Sequence, residues 1–200
     1  TQAQIALRTD DPAIQRDALS RISTSVDRTS RMVRQLIDLA AVDASQDVTS
    51  DEEVDIAVLV GEVAWELENQ LAANDVHVAM ELSDQAQPPT VIRGDRILVR
   101  LVLRNLLENA IQHSPKAGEV RCRVLARTNE VCVEILDQGP GIKQEDEKRV
   151  TERFFRGSKA HGHGSGLGLS IVQMALARLG GSLTFERGAR WFVARASFPI

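Results

Sequence analysis

The chain has 200 residues, 43% hydrophobic and 26% charged, with a net charge of −4 at pH 7. That is enough for one globular domain with an appendage. It argues against a nucleic-acid-binding face, which needs a basic patch, and against stacking platforms for single strands, since Tyr is absent and aromatics are only 4%. No apolar run approaches the ~20 residues of a membrane span. The start, Thr1-Gln2-Ala3-Gln4, has neither a basic-then-apolar leader nor an initiator Met, so the expectation is a piece of a longer protein.

Residues Thr1 to Arg8 read as the end of a helix. Asp11 then offers a cap and Pro12 suits the first position of a second, long helix reaching about Val42. Along it Leu19, Ile22, Val26, Thr29, Val33, Leu36 and Ala40 alternate spacings of 3 and 4, a heptad seam. A dimeric four-helix bundle is the natural completion; packing on the chain's own main domain is the alternative. The acidic, aperiodic stretch over 44–53 reads as a linker, dividing helices over 1–43 from a domain over 54–200.

In that domain a short strand (Val54 to Ile56) leads to a helix, about Ala57 to Ala73. Strands follow at Val76 to Leu82 and Val91-Ile92, then a helix from Gly94-Asp95 to about His113. Two strands, Glu119 to Ala126 and Val131 to Asp137, flank Thr128-Asn129. If that pair is a two-residue hairpin turn, residues whose numbers sum to 257 face each other. Cys122/Ile135, Val124/Val133 and Ala126/Val131 then form an apolar face, Arg123 meets Glu134 on the other, and Cys122 and Cys132 point apart, so no disulfide forms. A reducing compartment fits. Gly141 to Gly164 reads as a charged lid, Leu167 to Leu179 as a helix, and Ser182 to Glu186 and Trp191 to Phe198 as strands. Helices on one face of a mixed sheet make an α+β, two-layer α/β sandwich.

The chemistry gathers in three places. Asp137 ends a buried strand and is followed by Gly139, Gly141 and Ile142, where the backbone turns sharply. An acid there can accept a base's amino group. Asn105, Asn109 and His113 lie at i, i+4 and i+8 on one helix face, with Glu108 and Gln112 beside them, and an Asn carbonyl oxygen can ligate Mg²⁺. Gly164-Ser165-Gly166-Leu167-Gly168-Leu169 opens a helix, whose bare N–H groups suit phosphate. His161 and His163 invite a metal reading, but a His-x-His without nearby Cys is more simply an exposed pair.

Taken in order, Asn105-Leu106-Leu107-Glu108-Asn109-Ala110, Asp137-x-Gly139-x-Gly141, Arg153-Phe154-Phe155-Arg156 and Gly164-x-Gly166-Leu167-Gly168-Leu169 resemble the N, G1, F and G2 boxes of sensor histidine kinases. Those kinases share the Bergerat ATP-binding fold with gyrase and the heat-shock chaperone. The resemblance implies that Asp137 accepts the adenine amino group and that Gly139 and Gly141 let the lid pivot. It implies that Asn109 ligates Mg²⁺ with Asn105 near the phosphates. Phe154 and Phe155 would anchor the lid on the core, Arg156 would approach the phosphates, and Gly164, Gly166 and Gly168 would wrap them.

Asn105 stands where the ATPase relatives have a water-activating Glu, and an amide is no base, which favours transfer over hydrolysis. Glu108 remains a carboxylate that either assists or only makes a helix-surface contact. Many such kinases carry Lys at the position of Gln112 and an aromatic at that of His113, which here offers a smaller stacking ring. None of the four histidines has the family's phosphoacceptor context, so the acceptor is expected upstream of Thr1. The resemblance further implies ATP and Mg²⁺ as cofactors, a response-regulator receiver domain as partner, homodimerisation through the N-terminal helices, and a cytoplasmic position within a bacterial inner-membrane sensor. A degenerate nucleotide-binding module without transfer activity remains the alternative.

Overall fold

The computed structural model describes residues 1–9, 11–44, 52–82, 90–156 and 165–200. Helix α1 (Gln2–Arg8) folds back on α2 (Pro12–Ala44), where the small Ala6 and Ala18 let the backbones approach. Asp11 caps α2, its Oδ1 accepting the Ala13 N–H at 2.8 Å. The heptad seam is open in the single chain: Leu19 is 53% exposed, Val26 57% and Val33 49%. A second stripe near the end of α2 packs inward instead. Val42 is fully buried in the main core, with Leu39 against it.

The stretch expected as linker ends sooner than its acidity suggests. Glu52 and Glu53 belong to β1 (Glu52–Asp55), antiparallel to β3 (Val91–Gly94). Their side chains are exposed, so the strand has no apolar alternation to betray it. Asp55 caps α3 (Ile56–Glu66) and also accepts from Thr90 Oγ1 at 2.8 Å. The single helix expected to Ala73 is broken. Leu67 leaves helical geometry (φ −91°, ψ 3°) with its side chain 1% exposed, and α4 (Glu68–Asn74) restarts beyond it. Asp75, in the left-handed region, ends α4.

The main sheet holds β2 (Val76–Leu82), β4 (Gly118–Ala126), β5 (Glu130–Asp137), β6 (Ser182–Arg187) and β7 (Phe192–Pro199), in the order β2-β4-β5-β7-β6. Only the β2–β4 pair is parallel. The hairpin register is as the turn predicts: Cys122 faces Ile135, Val124 faces Val133 and Arg123 faces Glu134. Glu134, however, makes its closer ion pair with Arg195 of β7, at 2.7 Å against 4.0 Å to Arg123. Helices α3, α5 (Arg96–His113) and α6 (Gly168–Arg178) cover the apolar face, and the core lies between these two layers. Asp137 ends β5, the central strand.

Gly61, mid-helix and exposed in α3, has open space where a Cβ would go. Gly61→Ala is therefore expected to raise stability by about 0.5–1 kcal/mol, read as a higher urea midpoint with unchanged slope.

Candidate functional site

Helix α5 is set by Asp95, whose Oδ1 accepts from Ile97 N at 2.7 Å and Leu98 N at 3.3 Å. The 3.6-residue period then stacks Asn105, Asn109 and His113 along one face. Asn105 is 2% exposed; its Nδ2 donates to the Leu101 carbonyl at 2.9 Å. Its Oδ1 is buried without a hydrogen-bond partner. Gly168, the first residue of α6, lies against this pair: a Cβ there would stand 3.3 Å from Asn105 Oδ1 and 3.7 Å from the Asn109 amide. Glycine leaves a gap between the helix start and the two amides, and a larger side chain would fill it.

A cavity opens below. Leu106, Ile135, Phe185 and Phe192 line it, with Asn109, His113, Asp137, Gly141, Ile142 and Leu169 around them. Phe185 and Phe192 stack with ring centres 5.8 Å apart. Asp137, 6% exposed, is its charged group; one carboxylate oxygen accepts the Gly139 N–H at 2.7 Å. Burial pushes its carboxyl up to about 6, against the partial relief of that N–H. His113 sits exposed at the mouth, and desolvation on its cavity side holds the imidazole below its ordinary value. Gly139 turns so closely that a Cβ would stand 2.5 Å from the His113 carbonyl oxygen. Gly141 takes a positive φ of 63° over Phe192.

A second, polar cavity adjoins the first through Asn109. Asn105, Glu108, Gln112, Ser165 and, from α2, Arg31 and Gln35 line it. Ser165 Oγ donates to Gln35 Oε1 and accepts from Leu167 N, so α2 is clasped to the turn that starts α6. Leu167 is fully buried and anchors that turn. Gly166 (φ 75°) lies flat on the Phe154–Phe155 backbone, and Phe154 N donates to its carbonyl at 2.9 Å. Gly164, His161 and His163 lie outside the described residues.

The structure thus gathers Asn105, Glu108, Asn109, His113, Asp137, Gly141, Ile142, Ser165 and Leu169 around two joined cavities, with Gly139, Gly166, Leu167 and Gly168 shaping their walls. Phe155 and Arg156 line neither. The expected aromatic anchor is different in kind: Phe154 is 66% exposed, and the Arg149 guanidinium covers Phe155 at 4.4 Å within the same segment. The backbone pairing with Gly166 ties this segment to the start of α6. Glu108 accepts from Arg104 Nε at 3.1 Å and Gln70 Nε2 at 3.4 Å and also lines the polar cavity. Sequence reasoning missed Phe185, Phe192 and Ile135 as cavity walls and Arg31 and Gln35 as contributors from α2. The alternation of the last two strands held the signal for the phenylalanines, had their neighbour been known.

The profile of the family described as histidine kinase-, DNA gyrase B- and HSP90-like ATPases matches residues 94–199. The chain belongs to this ATPase family. Its relatives within the family are sensor histidine kinases. The sensor protein kinase PmrB of Pseudomonas aeruginosa is 31% identical over 189 residues, 94% of this chain and 39% of that protein. The chain therefore spans about two fifths of such a relative. A mycobacterial sensor histidine kinase, MprB, superposes with a TM-score of 0.64 at 27% identity, over 74% of this chain and 97% of that one. Full-length ShkA, in complex with AMPPNP, gives 0.70 at 27% identity, over 98% of this chain and 41% of that one. The two cavities, between α5, the β5 end and the start of α6, lie within the stretch that matches this ATPase family.

Proposed function

We propose that this chain is the ATP-binding catalytic portion of a two-component sensor histidine kinase. The γ-phosphate passes to a histidine on a bundle helix outside these residues, and from there to an aspartate of a response-regulator receiver domain. The observation that carries the reading is the buried Asp137 carboxylate in an apolar cavity that opens, past Asn109, onto the glycine start of α6.

ATP would supply the phosphoryl group, and Mg²⁺ would screen the phosphate charge. Asp137 accepts the adenine amino group, while Phe185, Phe192 and Ile135 exclude water from the base. Asn109 would hold Mg²⁺ through its amide oxygen. The orphaned Asn105 Oδ1 beside it is a hard oxygen that fits an ion keeping its waters. The N–H groups at the start of α6 face the phosphates, an arrangement open because Gly168 has no side chain. Asn105 cannot take a proton from water, and Glu108 is held by Arg104, so the site favours transfer over hydrolysis.

Residues 1–43 act as part of the dimerisation bundle and 54–200 as the catalytic domain, with β1 joined to the latter through its pairing with β3. A second copy covers the open seam at Leu19, Val26 and Val33. No helix among the described residues is long and apolar enough to cross a membrane; we place the chain on the cytoplasmic side of a membrane sensor.

Two experiments test this. A longer protein that includes the segment before Thr1 is incubated with γ-labelled ATP. Acid-labile, base-stable label on protein supports the reading; multiple-turnover phosphate release without labelled protein overturns it in favour of an ATPase. In the chain itself, Asn109→Ala is expected to remove most of the Mg²⁺ dependence of ATP affinity, seen by titrating ATP with and without the metal. An unchanged dependence rejects Asn109 as the ligand.

A further inference from the structure

The polar cavity is not completed by the catalytic domain alone. Helix α2 crosses it, clasped to Ser165 through Gln35, and places Arg31 in its wall. Arg31 is half-buried and its Nε is buried with no hydrogen-bond partner, a costly state for a guanidinium. The same cavity is lined by a second buried atom without a partner, Asn105 Oδ1. Among the described residues that line this cavity, Arg31 is the only cation. Gln112 is neutral, and the one carboxylate, Glu108, is bridged to Arg104 outside the lining set. A cavity with one cation holding an unspent donor, against a carbonyl oxygen suited to a metal, matches a metal-bound polyphosphate.

We propose that Arg31 is a phosphate-contacting residue, supplied by α2 across the cleft to the nucleotide whose base lies against Asp137. This rests on the nucleotide-binding reading above. Its consequence is that affinity for the phosphate tail depends on α2 remaining docked, while affinity for the base does not. The proposed base contacts belong to the α5 and β5 side of the site. The tail adds a charge-assisted bond from a helix that belongs to the bundle.

The test is an NMR titration of the whole chain with ATP and, separately, with adenosine, following the Asp137 to Ile142 amides. The same spectra report that each variant is folded. Arg31→Gln is expected to weaken ATP by about tenfold or more, the worth of a charge-assisted hydrogen bond, with adenosine unchanged. Arg31→Lys is expected to restore part of the loss. No loss for ATP, or an equal loss for ATP and adenosine, overturns the assignment, the second outcome marking Arg31 as structural. A native chain that binds neither ligand overturns the nucleotide reading itself, and Arg31's role with it.

Discussion

Asp137→Asn is expected to cost about 100-fold in ATP affinity while making the unliganded fold more stable. Both effects have one cause. The carboxylate is buried, one oxygen bound to the Gly139 N–H, the other left for the cavity. An amide keeps its oxygen on that N–H, so its NH₂ meets the adenine amino group, donor against donor. Selectivity for adenine over guanine should shrink with it. The stability gain follows from the raised carboxyl. Between the ordinary value of 3.8 and about 6 the native state holds a proton that the unfolded chain has released. The stability this group contributes is fully present below 3.8 and is lost as pH rises to about 6. At pH 7 removing the charge recovers up to about 3 kcal/mol. Urea titrations at pH 7 and pH 4 check it: the variant gains at 7 and gains little at 4. In the native chain, ATP affinity should fall below pH ~6 as the acceptor is protonated, by up to about tenfold per unit. A flat profile from pH 5 to 8 would count against Asp137 as the adenine acceptor.

Gly139→Ala is the second large effect. Its Cβ would stand 2.5 Å from the His113 carbonyl oxygen and 2.7 Å from Asp137 Oδ1. The first neighbour is backbone at the end of α5, so it cannot swing aside. The second is the carboxylate itself. Either the strand end or the helix end must shift, at about 1–3 kcal/mol, and the carboxylate moves with it. A displacement near 1 Å at such a contact costs on the order of 100-fold in function. The variant should unfold at lower urea and bind ATP about 100-fold more weakly. Gly61→Ala is the control, the same substitution where nothing lies within 4 Å. If Gly139→Ala matches that control in stability and binding, the close turn does not set the site.

What could be read ahead of the structure follows the range of the interactions. The β4–β5 hairpin was legible to the residue because a two-residue turn fixes its register locally. Asp137's direction came with it. The pairing of β5 with β7, which sets Phe192 opposite Asp137, joins residues 55 apart in sequence at that point, and no local pattern encodes it. Hence the aromatic walls of the cavity at Asp137 went unread, although each strand was found. The break at Leu67 carries no Gly or Pro and was hidden by a continuous apolar pattern. Glu52 and Glu53 looked like solvent linker because their strand exposes both side chains. The anchoring role of Phe154 and Phe155 came from the family resemblance, whereas the contact seen here is between their backbone and Gly166, which side-chain motifs do not encode. Helix α2 was legible as a seam, but its inward stripe and Arg31 depend on what lies beneath it.

The central claim is an adenine-selective nucleotide site built around Asp137. Calorimetric titration of the chain with ATP and with GTP, each with Mg²⁺, tests it most directly. The account predicts binding of ATP at least about 100-fold tighter than GTP. Equal affinities, or heat from neither nucleotide, would contradict it.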